Sequence, residues 1–260
     1  MSKYPFDPAT LDALPEELAE LFRSLEDTLL EEICSRLVIA DQLNEVTVQD
    51  IRALRSHGID LDEITKAVQE ATDTGEEKMT ALLQDVVDRN QAYYAAVVDL
   101  AGITKPETML DAATIDAITR QTLEEYHNIT RSMGFLVDNG RTMLEPAKAY
   151  QWALDNAEMQ IQSGAVSYNQ AVGNVVKQLA DSGIKTVDYE SGHVDQVDVA
   201  VRRAVMSGTN ALCQQYAVQS LEYLETDLVE VSAHIGARNT GVGPANHESW
   251  QGKIYHWDRR

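Results

Sequence analysis

Apolar side chains recur every three or four residues through the first 185 positions, and this spacing limits the chain to helical architectures. The segment from Glu16 is the clearest example, because its apolar residues form one stripe when placed on a helix: Leu18, Leu21, Phe22, Leu25, Leu29, Ile33 and Leu37. Such a stripe is typical of an amphipathic helix with one face in a protein core. No segment reaches ~18 uninterrupted apolar residues, so the sequence predicts no membrane-spanning helix.

Glycines and capping residues divide this helical pattern into segments. A helix is predicted from Thr47 to Gly58, then a short one over 60–72 that closes near Thr74–Gly75, and a longer one over 76–100. Further helices are predicted over 113–133, 145–161, 167–179 and 195–224. Gly134 and Asn139–Gly140 are interpreted as breaks between helices.

The spacing of apolar residues changes near the C-terminus. The short segment 184–189 is rich in β-branched residues, which indicates a strand. A second strand is predicted where Val229, Val231 and Ala233 alternate with polar residues, a pattern to which only Leu228 does not conform. Residues 250–255 indicate another strand. The predicted fold class is mainly α: a multi-helix body with a small C-terminal α+β module. The predicted domains are a helical body over 1–185, in which 1–75 form N-terminal helices, and the α+β module over 186–260.

Charge is distributed unevenly along the chain. The protein has 260 residues, with 42 acidic and 21 basic side chains and a net charge of −21. The last sixty residues contain six of each sign, so the whole acidic excess lies in the first 200. Two interpretations remain open: solvated helix faces, or a protein that works beside nucleic acid without adhering to it. Either interpretation argues against specific nucleic-acid binding.

The densest group of chemically distinctive residues lies between His234 and Lys253. It contains histidine, arginine, tryptophan and glycine directly after a predicted strand: His234, Gly236, Arg238, His247, Trp250, Gly252 and Lys253. A metal site would use His234 and His247 with Glu248 or His256, and would support a hydrolase or nuclease. In the structural interpretation, His234 and Arg238 bind backbone carbonyls and Trp250 fills a small core. No phosphate-binding glycine loop occurs, and no cofactor is predicted.

A second group is Arg202 and Arg203, which adjoin within the last predicted helix. Successive helical residues point about 100° apart, so the two guanidinium groups do not share one face. They would bind an acidic partner surface, or Arg202 would pair with Asp198 four residues earlier. Gly208, in the same helix, indicates a close approach of another backbone.

Three stretches together resemble a known family. They are Ala149–Ile184, Val187–Asn210, and Val231–Arg238 with Pro244–Lys253, the last of which contains the pattern His-x-Gly-Ala-Arg followed by His-x-x-Trp-Gln-Gly-Lys. Over residues 80–257 the chain resembles the phage minor capsid protein 2 family of tailed bacteriophages, and it is distantly similar to head-morphogenesis proteins of the Mu F type. Relatives usually have fewer residues between the positions of Arg238 and Pro244, where this chain has Asn239–Gly243. They also commonly continue beyond the position of Arg260.

The resemblance implies a minor structural protein inside the phage head, near the portal, that acts in assembly or DNA delivery after a period in the host cytoplasm. Its implied partners are the portal protein, the major capsid protein, or both, and the resemblance also allows a homo-oligomer. The expected mechanism is protein–protein docking through an apolar helix face, without catalysis and without a membrane. The metal-dependent hydrolase or nuclease is the alternative.

Overall fold

The computed structural model describes residues 5–39, 61–104, 106–164, 166–187, 192–231, 239–240, 243 and 246–257. The N-terminal helices are α1 (Pro8–Ala13), α2 (Glu16–Ile39), α3 (Leu61–Leu100) and α4 (Ala112–Arg131). The predicted helix from Thr47 to Gly58 lies outside the described residues. No helix in the described ranges has the length and apolar character that crossing a bilayer requires.

The second half of the chain alternates short strands with helices. Its elements are β1 (Gly134–Val137), β2 (Thr142–Leu144), α5 (Pro146–Gln162), α6 (Tyr168–Ser182), β3 (Ile184–Val187), β4 (Val194–Gln196), α7 (Val197–Tyr223), β5 (Leu228–Glu230) and β6 (Ile254–His256). The predicted fold class, mainly α with a small α+β module, is confirmed. The two strands predicted near the C-terminus correspond to β5 and β6, and Leu228 belongs to the first of them.

The helix break predicted at Thr74–Gly75 is wrong, because α3 continues through both residues to Leu100. Gly75 lies where α3 passes Tyr126 of α4, and a Cβ at this position would overlap the tyrosine hydroxyl. That hydroxyl donates a hydrogen bond to the Thr72 carbonyl oxygen at 2.7 Å. A glycine in a helix interior destabilises the helix by ~1 kcal/mol relative to alanine. Here the absence of a side chain allows two helices to approach closely.

The interpretation of Gly134 and Asn139–Gly140 as breaks between helices is confirmed, since α4 ends at Arg131 and α5 begins at Pro146, but the residues between them form a β-hairpin that was not predicted. β1 and β2 pair antiparallel, with Phe135 opposite Leu144, and the complete sheet has the order β2-β1-β3-β4. Asp138, Asn139 and Gly140 all have positive φ, a conformation that these three residue types adopt more readily than others. We refer to this sheet as the four-stranded sheet.

One face of the four-stranded sheet is buried. Phe135 and Val137 of β1, together with Ile184 and Thr186 of β3, are almost inaccessible to solvent. Helices α5 and α6 pack against β1, and α2 packs on both helices. Helix α6 begins with a capping box, in which Ser167 and Gln170 satisfy each other's backbone N–H groups.

The chain divides into two compact units. The first comprises Met1–Ala13, Leu83–Thr119 and Gly208–Arg260, and the second comprises Leu14–Leu82 and Arg120–Ser207. The four-stranded sheet belongs to the second unit, and strands β5 and β6 belong to the first. The predicted domain division at residue 185 stays a prediction, because a domain is defined by its capacity to fold alone and not by contacts alone.

Candidate functional site

Strands β5 and β6 form a two-stranded antiparallel sheet, which we call the ribbon. Leu228 lies opposite His256, and Glu230 lies opposite Ile254. Backbone hydrogen bonds continue beyond the strands: Val231 N–H donates to the Lys253 carbonyl at 3.0 Å, and Gly252 N–H donates to the Val231 carbonyl at 2.8 Å. The ribbon therefore brings Val231 beside Gly252 and Lys253. We call the described residues 246–253, which lead into β6, the loop.

The loop is held by short-range hydrogen bonds. Asn246 caps a one-turn 3₁₀ helix, His247–Ser249, by accepting from Ser249 N–H through its side chain at 3.3 Å. The Lys253 ammonium donates to the Ser249 carbonyl oxygen. Gly252 has a φ of 65°, a left-handed conformation that favours glycine at the point where the loop rejoins the ribbon.

His247 and Trp250 contact each other edge to face, with ring centroids 5.2 Å apart. Trp250 is half-buried, and its indole N–H is shielded from solvent without an acceptor in the described part of the chain. The structure thus brings together four of the predicted residues, namely His247, Trp250, Gly252 and Lys253. The other three, His234, Gly236 and Arg238, lie outside the described residues, and their predicted contacts with backbone carbonyls stay predictions.

The geometry of the described histidines does not support a metal site. Within the described ranges, no group of three histidine, cysteine, aspartate or glutamate residues is placed to hold a metal ion. His256 Nδ1 lies 3.0 Å from Asp227 Oδ2 in an exposed pair, and His247 faces Trp250. Among the cysteines, burial raises the pKa of the Cys213 thiol, which accepts a hydrogen bond from Asn90 at 3.4 Å. A protonated, partly buried thiol is a poor nucleophile.

Arg202 and Arg203, in the second unit, have different partners, as expected for adjacent helical residues. Arg202 donates to Glu16 at the start of α2. Arg23 bridges the same glutamate and Asp198 through hydrogen bonds of 3.0 and 3.1 Å. The hydrogen bond from Arg23 lowers the pKa of Glu16, and the hydrogen bonds to Glu16 and Asp198 raise the pKa of Arg23. These ion pairs join the first two turns of α7 to α2.

Arg203 lines a groove of about 470 Å³ between α4, β3 and α7. Asp195 holds the guanidinium of Arg203 at 2.8 Å and the imidazole of His193 at 3.1 Å. Polar residues of α4 form the opposite wall: Gln121, Glu124, Glu125 and Asn128. This groove was not predicted from the sequence, although the spacing of these four residues places them on one helix face.

Large apolar side chains are exposed on the ribbon and at Trp257, the residue that follows β6. Leu228 is 48% exposed, Ile254 67%, Tyr255 38% and Trp257 36%. On the described helices, residues of this kind are exposed one to a helix, at Leu100, Met159 and Val199. Single exposed apolar residues are ordinary, whereas a group on one element indicates a surface that binds another molecule. The predicted docking through an apolar helix face stays a prediction, and the ribbon is a second candidate docking surface.

A comparison with protein families gives one finding. The family model described as Phage minor capsid protein 2 matches residues 6–259, which is nearly the whole chain. Neither the comparison with curated proteins nor the comparison with solved structures gives a match.

Proposed function

Because the chain belongs to the phage minor capsid protein 2 family, we propose that it is a minor head protein of a tailed phage that docks onto other head proteins near the portal. Membership of the family supports a structural role in the virion with protein partners. The portal protein and the major capsid protein are the partners we propose. The proposal places the protein inside the head, after assembly in the host cytoplasm, and requires no catalytic step and no cofactor.

The observation that carries the proposal is the exposed apolar group on the ribbon. A two-stranded sheet is marginally stable by itself. Covering exposed leucine, isoleucine and tryptophan side chains with a partner lowers the free energy, because it removes apolar surface from water. Leu228 and Ile254 share one face of the ribbon, Tyr255 lies on the other face, and Trp257 follows β6. They adjoin the loop whose sequence carries the family resemblance, so the docking surface includes the most distinctive segment of the chain.

Net charge supports a protein partner over nucleic acid. With a net charge of −21, the protein repels the phosphate backbone, because DNA binding depends on basic side chains that neutralise phosphates. We therefore expect no shift of duplex DNA in a gel even at low salt. Tight, salt-sensitive DNA binding would contradict this part of the proposal.

The docking proposal is tested by measuring binding of the full chain to the portal ring and to the major capsid protein of the same phage, each immobilised separately. The double variant Leu228→Ser and Ile254→Ser should weaken binding by about 100-fold or more, since each buried aliphatic side chain contributes ~1.5–3 kcal/mol. The matched control is Leu100→Ser, which removes an isolated apolar residue of the same unit that is 77% exposed. Failure of the unmodified chain to bind either protein, or equal losses in both variants, would overturn the proposal.

A further inference from the structure

Two polar side chains lie in the interior of the first unit, one on α3 and one on α7. Asn90 of α3 and Thr209 of α7 are both fully buried. Their helical neighbours include Val86 and Leu212, which are apolar and equally inaccessible to solvent. All four residues belong to the first unit. A polar side chain in such surroundings is costly unless its hydrogen-bonding groups find partners.

The protein satisfies only part of this requirement. The Asn90 amide nitrogen donates to the Val86 carbonyl oxygen at 2.8 Å and to the Cys213 sulfur at 3.4 Å, which uses both of its N–H groups. Within the described ranges, the Asn90 Oδ1 atom and the Thr209 hydroxyl oxygen have no hydrogen-bond partner among the protein groups. Two buried oxygen atoms, one on each helix, therefore each need a partner.

Helical geometry brings these two oxygen atoms to the same part of the contact. Thr209 precedes Cys213 by one turn on the same face of α7, at a side-chain separation of about 5–6 Å. Asn90 touches Cys213 directly. One turn further along both helices, Tyr94 stacks on Tyr216 with ring centroids 6.4 Å apart. The two helices therefore run side by side in the same direction, and Thr209 is within one turn of the Asn90 side chain.

A single water molecule has the size and the chemistry to join the two oxygens. Two successive hydrogen bonds through one water span about 5–6 Å. A water can donate one proton to Asn90 Oδ1 and form its second hydrogen bond with the Thr209 hydroxyl. An apolar ligand would leave both oxygens unpaired, and an ion would lose its hydration for only two neutral groups.

We propose that one water molecule is bound between Asn90 and Thr209 as a constant part of the contact between α3 and α7. Buried waters of this kind bridge polar groups that would otherwise be unpaired, and they are costly to remove. The site also fixes the alignment of the two helices, because sliding α7 along α3 would separate the two oxygens and leave both unpaired. This inference goes beyond the proposed docking function and does not depend on it.

Two arrangements without a water compete with this proposal. In the first, the Thr209 hydroxyl donates to the Val205 carbonyl oxygen one turn earlier, as helical threonines often do. In the second, a side-chain rotation joins the hydroxyl directly to Asn90. Neither arrangement holds a water, so the decisive experiment counts the long-lived waters of the full chain.

The count is made by oxygen-17 magnetic relaxation dispersion on the full chain and its variants. Thr209→Val keeps the shape of the side chain and removes the hydroxyl, and it should lose one long-lived water. Asn90→Leu should lose the same water, which provides a second variant if the first does not fold. The matched control is Thr130→Val, because Thr130 is buried and its hydroxyl already donates to the His127 carbonyl oxygen at 3.2 Å. An unchanged count in the Thr209 variant, or an equal loss in the control, would overturn the inference.

Urea unfolding of a double-mutant cycle provides an independent readout. Thr209→Val should lower the midpoint by about 0.5 M in the unmodified chain, because it leaves the Asn90 oxygen without a partner. In the Asn90→Leu background the same substitution should shift the midpoint by less than about 0.2 M, since leucine has no oxygen to satisfy. Equal shifts in the two backgrounds would show that the hydroxyl acts without Asn90 and would overturn the inference. Coupling without the loss of a water would identify a direct hydrogen bond and would overturn it as well.

Discussion

The four-stranded sheet and the ribbon are built from similar short antiparallel strands, yet the apolar side chains are buried in the first and exposed in the second. In the four-stranded sheet, Phe135 and Val137 are fully buried beneath helices that pack on β1. In the ribbon, Leu228 and Ile254 remain about half or more exposed. The contrast shows that strand sequence alone does not assign an apolar residue to a core, because the neighbouring elements decide whether water reaches it.

The difference also distinguishes stability from binding. An apolar side chain that is already covered contributes its burial free energy to folding. An exposed apolar side chain contributes its burial free energy to binding, because it is removed from water only when a partner covers it. Substitutions in the four-stranded sheet should therefore act on the free energy of unfolding, and substitutions in the ribbon should act on docking.

The largest expected effect is on the covered sheet. Phe135→Ala should lower the free energy of unfolding by about 3–5 kcal/mol, because it leaves a cavity between β1 and the helices that cover it. The measurement is urea unfolding followed by circular dichroism, with hydrogen exchange of the β1 and β3 amides to locate the loss. The control is Tyr255→Ala in the ribbon, for which we expect less than about 1 kcal/mol. Similar losses in both variants would remove the distinction between the two sheets.

A smaller effect is expected where a helix holds the edge of β3. Glu26 of α2 accepts a hydrogen bond from the Ile184 N–H at 2.8 Å. Glu26→Ala should destabilise the protein by about 1–3 kcal/mol, since it leaves a shielded backbone donor without its acceptor. Glu26→Gln keeps an acceptor oxygen and should restore most of the stability. An alanine variant as stable as the glutamine variant would show that water satisfies the Ile184 N–H equally well.

Much of the helical architecture could be predicted from sequence because it depends on local periodicity. The stripe from Leu18 to Ile33 becomes the buried face of α2, and the predicted helices over 145–161 and 167–179 correspond to α5 and α6. Gly75 was misread because a local rule treats glycine as a stop, whereas here a tertiary contact with Tyr126 requires the absence of a side chain. Such a contact between residues far apart in the sequence has no local signature.

The strands were harder to predict because they are only three or four residues long. β1 and β2 were missed, although Asn139–Gly140 between two apolar runs is itself a hairpin signal. The sequence did identify the segment from His247 to Lys253, whose histidine, tryptophan and glycine are unusual together. It could not identify Leu228 and Ile254 as a binding surface, because exposure depends on which elements fail to cover them.

The smallest expected effect on stability is at Ile254, and it is the sharpest check of the comparison. Ile254 is two-thirds exposed, so Ile254→Ser should change the free energy of unfolding by no more than about 0.5 kcal/mol, as surface substitutions usually do. The same variant should bind the portal ring or the major capsid protein at least about tenfold more weakly, because a covered isoleucine contributes ~1.5–3 kcal/mol to an interface. Unfolding and binding are measured on one preparation. A loss of stability as large as that of Phe135→Ala would place Ile254 in a core, whereas unchanged binding would remove the ribbon from the docking surface.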